Sequence, residues 1–357
     1  MSSHPYLSMP DYAFWRRSIS SVAPNLVDPV VSSAFTISPE DKVATAGSCF
    51  AQHIARYLQR SGYNYYVAET AHPIATPEMV KKYNYNEYSA RYGNIYTARQ
   101  LRQLIERAYG KFTPDDNYWK MPAGGYADPF RTKIQPNGFP TLKELEIDRK
   151  QHLAAVREMF ENLDVFVFTL GLTETWMSKK DGAVFPLCPG VDSGEFDESK
   201  YEFHNLTVDE VSDDMNAFLT ELKVVNPSAK VILTVSPVPL VATAEDRHVL
   251  VSTTYSKSVL RVAAEMVSNK HENVAYFPSF EIITGDYSRG RYFAEDCRSV
   301  IERGVYHVMR LFLEHYTEGD LDVRLKAKPA PDLQHKEHQR EMERLVSINC
   351  AEEALDT

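Results

Sequence analysis

Cysteine is scarce in this 357-residue chain, and its four thiols, Cys49, Cys188, Cys297 and Cys350, lie far apart with no C-x-x-C pair. That pattern excludes a disulfide framework and a zinc knuckle and predicts reduced thiols. Positive charge is also short. The 39 Lys and Arg face 49 Asp and Glu, a net charge of −10, which argues against a nucleic-acid footprint and against adsorption to anionic membranes. No apolar run approaches the roughly 20 residues that cross a bilayer. The first residues lack a basic-then-apolar signal pattern. No internal repeat, phosphate loop or metal-ligand spacing is visible. The expectation is a cytoplasmic protein with no metal, no cofactor, no nucleic-acid partner and no direct membrane insertion.

The apolar share (43%) and charged share (25%) are those of an ordinary globular protein, and the length supports a large core. The stretch Lys42-Val43-Ala44-Thr45-Ala46-Gly47-Ser48-Cys49-Phe50 organises the rest. A short apolar run ends in Gly-Ser, and Phe50, Ile54, Tyr57 and Leu58 then recur near helical spacing. Strand, tight turn and helix place Ser48 at the carboxyl end of a strand, where open α/β sheets bind ligands. Unpaired helix amides nearby can stabilise negative charge. A serine there also serves as an ordinary helix N-cap.

Residues 1–40 carry scattered aromatics and prolines and read as an arm wrapped on the domain. Strands are predicted at 42–47, 64–68, 164–170, 230–236 and 273–277. Helices are predicted near 49–61, 98–109, 141–162, 208–225, 253–269 and 301–316. Thr97, Thr141 and Thr207 stand at the expected starts of three of them. The Pro- and Gly-rich segment 111–140 reads as an insertion loop that lines or covers a site. The segment 175–205 reads as a second insertion, a hairpin excursion turning at Asp181-Gly182. Strands alternating with helices imply an α/β fold: a three-layer α/β/α domain over 41–316 with a five-stranded, mainly parallel sheet. The charged tail, 317–357, carries one polar helix near 335–347 and offers a surface for self-association.

Gly47-Ser48-Cys49-Phe50-Ala51 resembles the signature of the GSCFA family, within the SGNH (GDSL-like) hydrolase superfamily of flavodoxin-like sheets. The resemblance extends through Gly93-Asn94-Ile95-Tyr96, Phe168 to Trp176, Thr234 to Val238, Ser256-Lys257 and Tyr276 to Ser279, about residues 40–315. It implies an ester hydrolase or acyltransferase on lipids, acylated sugars or polysaccharides. Residue by residue, it implies Ser48 as nucleophile and backbone oxyanion donors at Ser48 and Gly93. The third block, usually Gly-x-Asn-Asp, reads Gly171-Leu172-Thr173-Glu174. The missing Asn leaves Thr173, Asn94 or Asn205 as substitute donors, with Glu174 binding a hydroxyl or orienting a partner.

The block usually reading Asp-x-x-His is here Asp296-Cys297-Arg298-Ser299, so the acid is present and the base is not. A serine nucleophile needs a base, and the base needs an orienting group. His248, in Glu245-Asp246-Arg247-His248 after the fourth strand, is the first choice, with Asp296, Asp246 or Glu245 as its orienting acid. His307 and His204 are the alternatives. His53 faces elsewhere on the helix after Ser48, and Asp332-Leu333-Gln334-His335 fits the pattern by coincidence in the tail. The expected function is a serine esterase or O-acyltransferase (for instance acetyl) on a saccharide ester, working through acyl-Ser48. The alternatives are a glycan- or protein-binding module without chemistry, and Cys49 as nucleophile.

Overall fold

The computed structural model of the protein describes residues 4–48 and 50–318. Cys49, Cys350, the predicted tail helix with its self-association surface and the Asp332-to-His335 motif lie outside these residues.

After an arm of short turns comes β1 (Val43–Gly47), buried at every position, as a strand covered on both faces must be. α1 (Ala51–Arg60) follows directly. α2 (Pro77–Lys82) is one and a half turns, started by proline and by the Thr76 hydroxyl accepting the Met79 amide. α3 (Ala98–Ala108) begins at a reciprocal Thr97/Gln100 capping box. Within the predicted insertion, β2 (Trp119–Lys120) and β3 (Tyr126–Ala127) form a short antiparallel ribbon. α4 (Leu142–Asn162) starts at a Thr141/Glu144 box and leads into β4 (Val165–Leu170). β5 (Glu174–Ser178), β6 (Val184–Phe185) and β7 (Tyr201–Asn205) make an antiparallel sheet in the order β6-β5-β7. α5 (Val208–Val225), capped by Thr207 and Glu210, precedes β8 (Lys230–Val235). α6 (Val249–Lys270), β9 (Val274–Tyr276), α7 (Ser279–Thr284) and α8 (Glu302–Tyr316) complete the described chain. The three threonines satisfy amides that a helix start otherwise leaves unpaired.

The main sheet is parallel, in the order β1-β4-β8-β9. Alternate residues split between two cores. Ala44, Ala46, Phe166, Phe168, Val231 and Leu233 pack with α3, α4, α5 and α6. Val43, Val165, Val167 and Ile232 pack with Phe50, Ile54, Val308 and Phe312 on the other face. The arm is pinned to α8 where His307 Nε2 meets the Val27 carbonyl at 2.8 Å and His315 Nε2 meets Asp28 at 2.6 Å.

One strand expectation is corrected. Residues 64–68 form no strand, only a single parallel bridge between Tyr65 and Val43. The reason lies on the outer edge of β1. The Thr45 amide donates to Ser89 Oγ at 3.0 Å, and the Thr45 carbonyl accepts from the Tyr92 hydroxyl. Side chains close the edge that a fifth strand would have paired. The chain still passes to the outer side of β1 before returning for β4 on the inner side, so the change of direction falls beside the end of β1.

Candidate functional site

Ser48 follows the last residue of β1 and precedes α1. Gly47 makes this geometry possible: its φ is +139°, and a Cβ there would lie 2.4 Å from the Thr169 carbonyl oxygen. A side chain at 47 would push β1 off β4 at the Gly47–Thr169 register pair. Gly171 is less tightly held, but a Cβ on it would stand 3.2 Å from Ser48 Cβ and 3.2 Å from the Tyr96 carbonyl. Two glycines therefore hold backbone against both sides of this serine. Ser48 itself is buried, and its hydroxyl has no hydrogen-bond partner among the described residues. The hydroxyl of Thr169, opposite Gly47, is likewise buried and unpartnered. Native structures rarely leave such atoms unpaired, and an orphan hydroxyl is a feature of catalytic sites.

The loop carrying Gly93 and Asn94 is tied to this point. Ile95 N donates to the Gly47 carbonyl at 3.0 Å, and the Tyr96 carbonyl accepts from Gly171 N (2.9 Å) and Leu172 N (3.0 Å). Asn94 Nδ2 donates to the Tyr96 hydroxyl at 3.1 Å. Ser48, Gly93, Asn94 and Gly171 thus belong to one connected set of loops at one sheet edge. The Ser48 amide already donates to the Thr169 carbonyl at 3.3 Å. The other substitute donors form a separate chain. Thr173 Oγ1 donates to Asn205 Oδ1 at 2.6 Å, and Asn205 Nδ2 donates to Glu245 at 2.7 Å. Glu174 accepts from the Thr243 hydroxyl at 2.6 Å, and burial pushes its carboxyl above the ordinary range.

None of the predicted bases reaches Ser48. His248 is exposed at the N-cap of α6, where its Nδ1 accepts the Leu250 amide at 3.1 Å. Asp296 accepts from the amides of Arg298 and Ser299 and from the Ser299 hydroxyl, an Asx-type turn with no histidine in it. His307 is buried with both ring nitrogens engaged, by Tyr292 and Val27. His204 bonds Glu210 at 2.7 Å. Burial, aided by Arg56 and Arg60, lowers the His53 imidazole to about 4 and keeps it neutral.

Two features carry roles that the sequence reading did not assign, although Ser256-Lys257 stands among the blocks of the family resemblance. Lys257, buried in the middle of α6, donates from Nζ to the Gly171 carbonyl at 2.7 Å, behind the glycine that touches Ser48. Its spacing from Leu260 and Ala264 on the apolar face of α6 was the available signal. The second is an ionic cluster between the insertion and α4. Asp128 accepts from Arg131 (3.0 Å) and Arg149 (3.2 Å), while Asp148 accepts from Arg91 (3.0 Å) and Arg131 (2.7 Å). His152 Nδ1 meets Glu69 at 2.7 Å. Burial would raise the Glu69 carboxyl, but His152, Arg131 and the Arg91 amide hold it at about 2.

Three cavities border the loop from Gly93 to Tyr96, two of them large enough for a ligand. The larger, about 570 Å³, is lined by Gly93 and Asn94, by the insertion from Phe130 to Asn137, and by α2 residues. The smaller, about 220 Å³, has Tyr96, Trp176, Phe185, Phe203 and Glu174 in its walls. Residues 130–137 of the insertion line the larger of these. Ser48 is not among the lining residues of either.

Set beside known protein families, residues 42–312 match the GSCFA family, and the chain belongs to it. No curated protein matches the chain. Among the described residues, no helix is long and apolar enough to cross a membrane.

Proposed function

We propose that this GSCFA protein is a serine-dependent acyltransferase or esterase of the SGNH type, acting on an acylated saccharide. The observation that carries the proposal is the Ser48 hydroxyl, buried and without a partner among the described residues, beside Gly47, which admits no Cβ, and Gly171, where a Cβ would crowd it. In the reaction, Ser48 Oγ attacks the ester carbonyl, the bond from carbonyl to leaving oxygen breaks, and the serine proton goes to the departing alkoxide. Water or a sugar hydroxyl then takes the acyl group from Ser48 and returns a proton. The Gly93 loop supplies oxyanion donors, each typically worth about 3 kcal/mol. The aromatic walls and Glu174 of the smaller cavity suit a sugar ring and its hydroxyls.

A fluorophosphonate probe tests this. Labelling and p-nitrophenyl acetate turnover in the wild type, both abolished by Ser48→Ala, are the expected result; equal turnover in the two proteins overturns it. The competing reading, a binding module without chemistry, draws support from the absence of any imidazole on the Ser48 hydroxyl among the described residues. It predicts a glycan-binding protein that the probe never labels.

A further inference from the structure

Among its charged lining groups the larger cavity has a cationic excess. Of the charged groups lining it, Lys81, Lys82, Arg131 and Lys133 are cations, and only Glu78 and Asp192 are anions, in a chain of net charge −10. Lys133 is neutralised by Asp192 at 2.8 Å, and Arg131 by Asp128 and Asp148. Lys81 and Lys82, in the last turn of α2, are exposed at the rim, Lys82 resting 5.4 Å from the Tyr83 ring centre. The walls set Tyr88, Tyr92, Met121, Phe130, Ile134 and Pro186 beside the buried polar side chains of Arg131 and Thr132. Gly93 and Asn94 also line it, and Ile95, next in sequence, bonds the carbonyl of Gly47. Tyr92 also ties this wall to β1 through the Thr45 carbonyl.

A ligand matched to this cavity has an anionic end at the rim and a long, weakly polar arm running toward the end of β1. About 570 Å³ is within the range that encloses a drug-sized molecule. From this polarity we infer that the cavity binds the acyl donor of the reaction as a phosphate-bearing pantetheine thioester. The phosphate lies on Lys81 and Lys82, and the acyl end points at the Gly93 loop. The inference rests on the acyl-transfer reading of Ser48 and sharpens it. With this donor the first step forms the acyl–Oγ bond of Ser48 and breaks the carbonyl–sulfur bond. The serine proton leaves with the thiolate as free thiol, and a sugar hydroxyl takes the acyl group in the second step.

Calorimetric titration of the full chain with coenzyme A, which carries no acyl group to transfer, isolates binding from chemistry. Saturable binding that weakens with added salt is expected. The exposed pair Lys81→Glu/Lys82→Glu is expected to weaken it at least tenfold. Lys143→Glu/Lys150→Glu, the same charge change on exposed α4 positions outside the cavity, should bind as the wild type does. Phosphopantetheine binding as tightly as coenzyme A would point to a carrier-protein arm as the source; a tenfold deficit would point to the nucleotide coenzyme. No binding, or equal binding by wild type and Lys81→Glu/Lys82→Glu, overturns the donor site. Fluorophosphonate labelling of Ser48 is read separately. Labelling without coenzyme binding sinks the donor site alone, and binding without labelling sinks the serine chemistry alone.

Discussion

Around Asp128 every charge has a partner. Arg131 and Arg149 donate to its carboxylate, and Arg107 lies near enough to lower it further, its own guanidinium 3.7 Å over the Phe130 ring. Around Ser48 the opposite holds: two hydroxyls, those of Ser48 and Thr169, are buried without a partner among the described residues. Both regions are buried. The first satisfies its polar atoms and so fixes the insertion that walls the larger cavity. The second leaves polar atoms unsatisfied beside glycines whose backbone cannot relax. Full pairing is what a structural device needs, while an orphaned group held in place is what a reacting partner finds ready. Substitutions that exchange these properties test the contrast.

The largest effect belongs to Asp128. Asp128→Ala leaves guanidinium groups buried without their shared carboxylate and removes the acceptor of the Phe130 amide. Breaking a buried ionic group from one side costs about 3–5 kcal/mol. Chemical denaturation should show a loss of that order, and the wall of the larger cavity should become sensitive to proteolysis within 111–140.

Acid should act next, through Glu69. Its folded carboxyl sits at about 2, below the ordinary 4.5, so its stabilisation is complete above pH 4.5 and is lost as pH falls toward 2. Burial lowers the facing His152 imidazole, so the two groups take up protons as a pair over that window. Urea midpoints measured between pH 6 and 2.5 should fall across that window, and Glu69→Gln should flatten the fall. A profile unchanged by Glu69→Gln would mean that other carboxylates dominate acid unfolding.

The two regions were unequally legible. Strand β1, the turn at Gly47-Ser48 and the capped starts of α3, α4 and α5 follow from local signals: an apolar run, a glycine, a threonine three residues before Gln or Glu. The missing fifth strand was not legible, because what replaces it is a serine and a tyrosine from 89 and 92 bonding to Thr45. The ionic cluster was invisible for a similar reason. Glu69, Arg91, Asp128, Asp148 and His152 meet only after the chain folds, and in sequence each reads as a solvent-facing charge. His248 illustrates a local signal read wrongly: the loop histidine is the N-cap of α6, which starts four residues before the predicted 253.

A smaller effect, at the border between the regions, is expected from Gly47→Ala. Its φ of +139° and the 2.4 Å approach to the Thr169 carbonyl oppose any side chain, and strain plus displaced packing costs about 2–4 kcal/mol. Esterase activity should fall further than stability, because the strand pair that opens is the one positioning Ser48. Gly171→Ala should be milder on stability, since its closest contacts are at 3.2 Å. It should still cut turnover at least tenfold by crowding Ser48 Cβ directly.

Ser48→Ala sharpens the comparison most while disturbing the fold least. Removing a hydroxyl that participates in a bond network ordinarily costs about 1 kcal/mol. Here the hydroxyl bonds to nothing among the described residues, so its removal sheds a buried polar atom and leaves the strand, both glycines and the Ile95-to-Gly47 hydrogen bond in place. The melting temperature should stay level or rise by one or two degrees, while fluorophosphonate labelling and ester turnover disappear. That pairing of outcomes separates the two explanations of an orphan hydroxyl. A residue kept for packing loses stability when truncated, whereas one kept for chemistry loses only the chemistry. A marked fall in melting temperature with turnover intact would assign Ser48 to the frame, and the search for a nucleophile would move to its neighbour, Cys49.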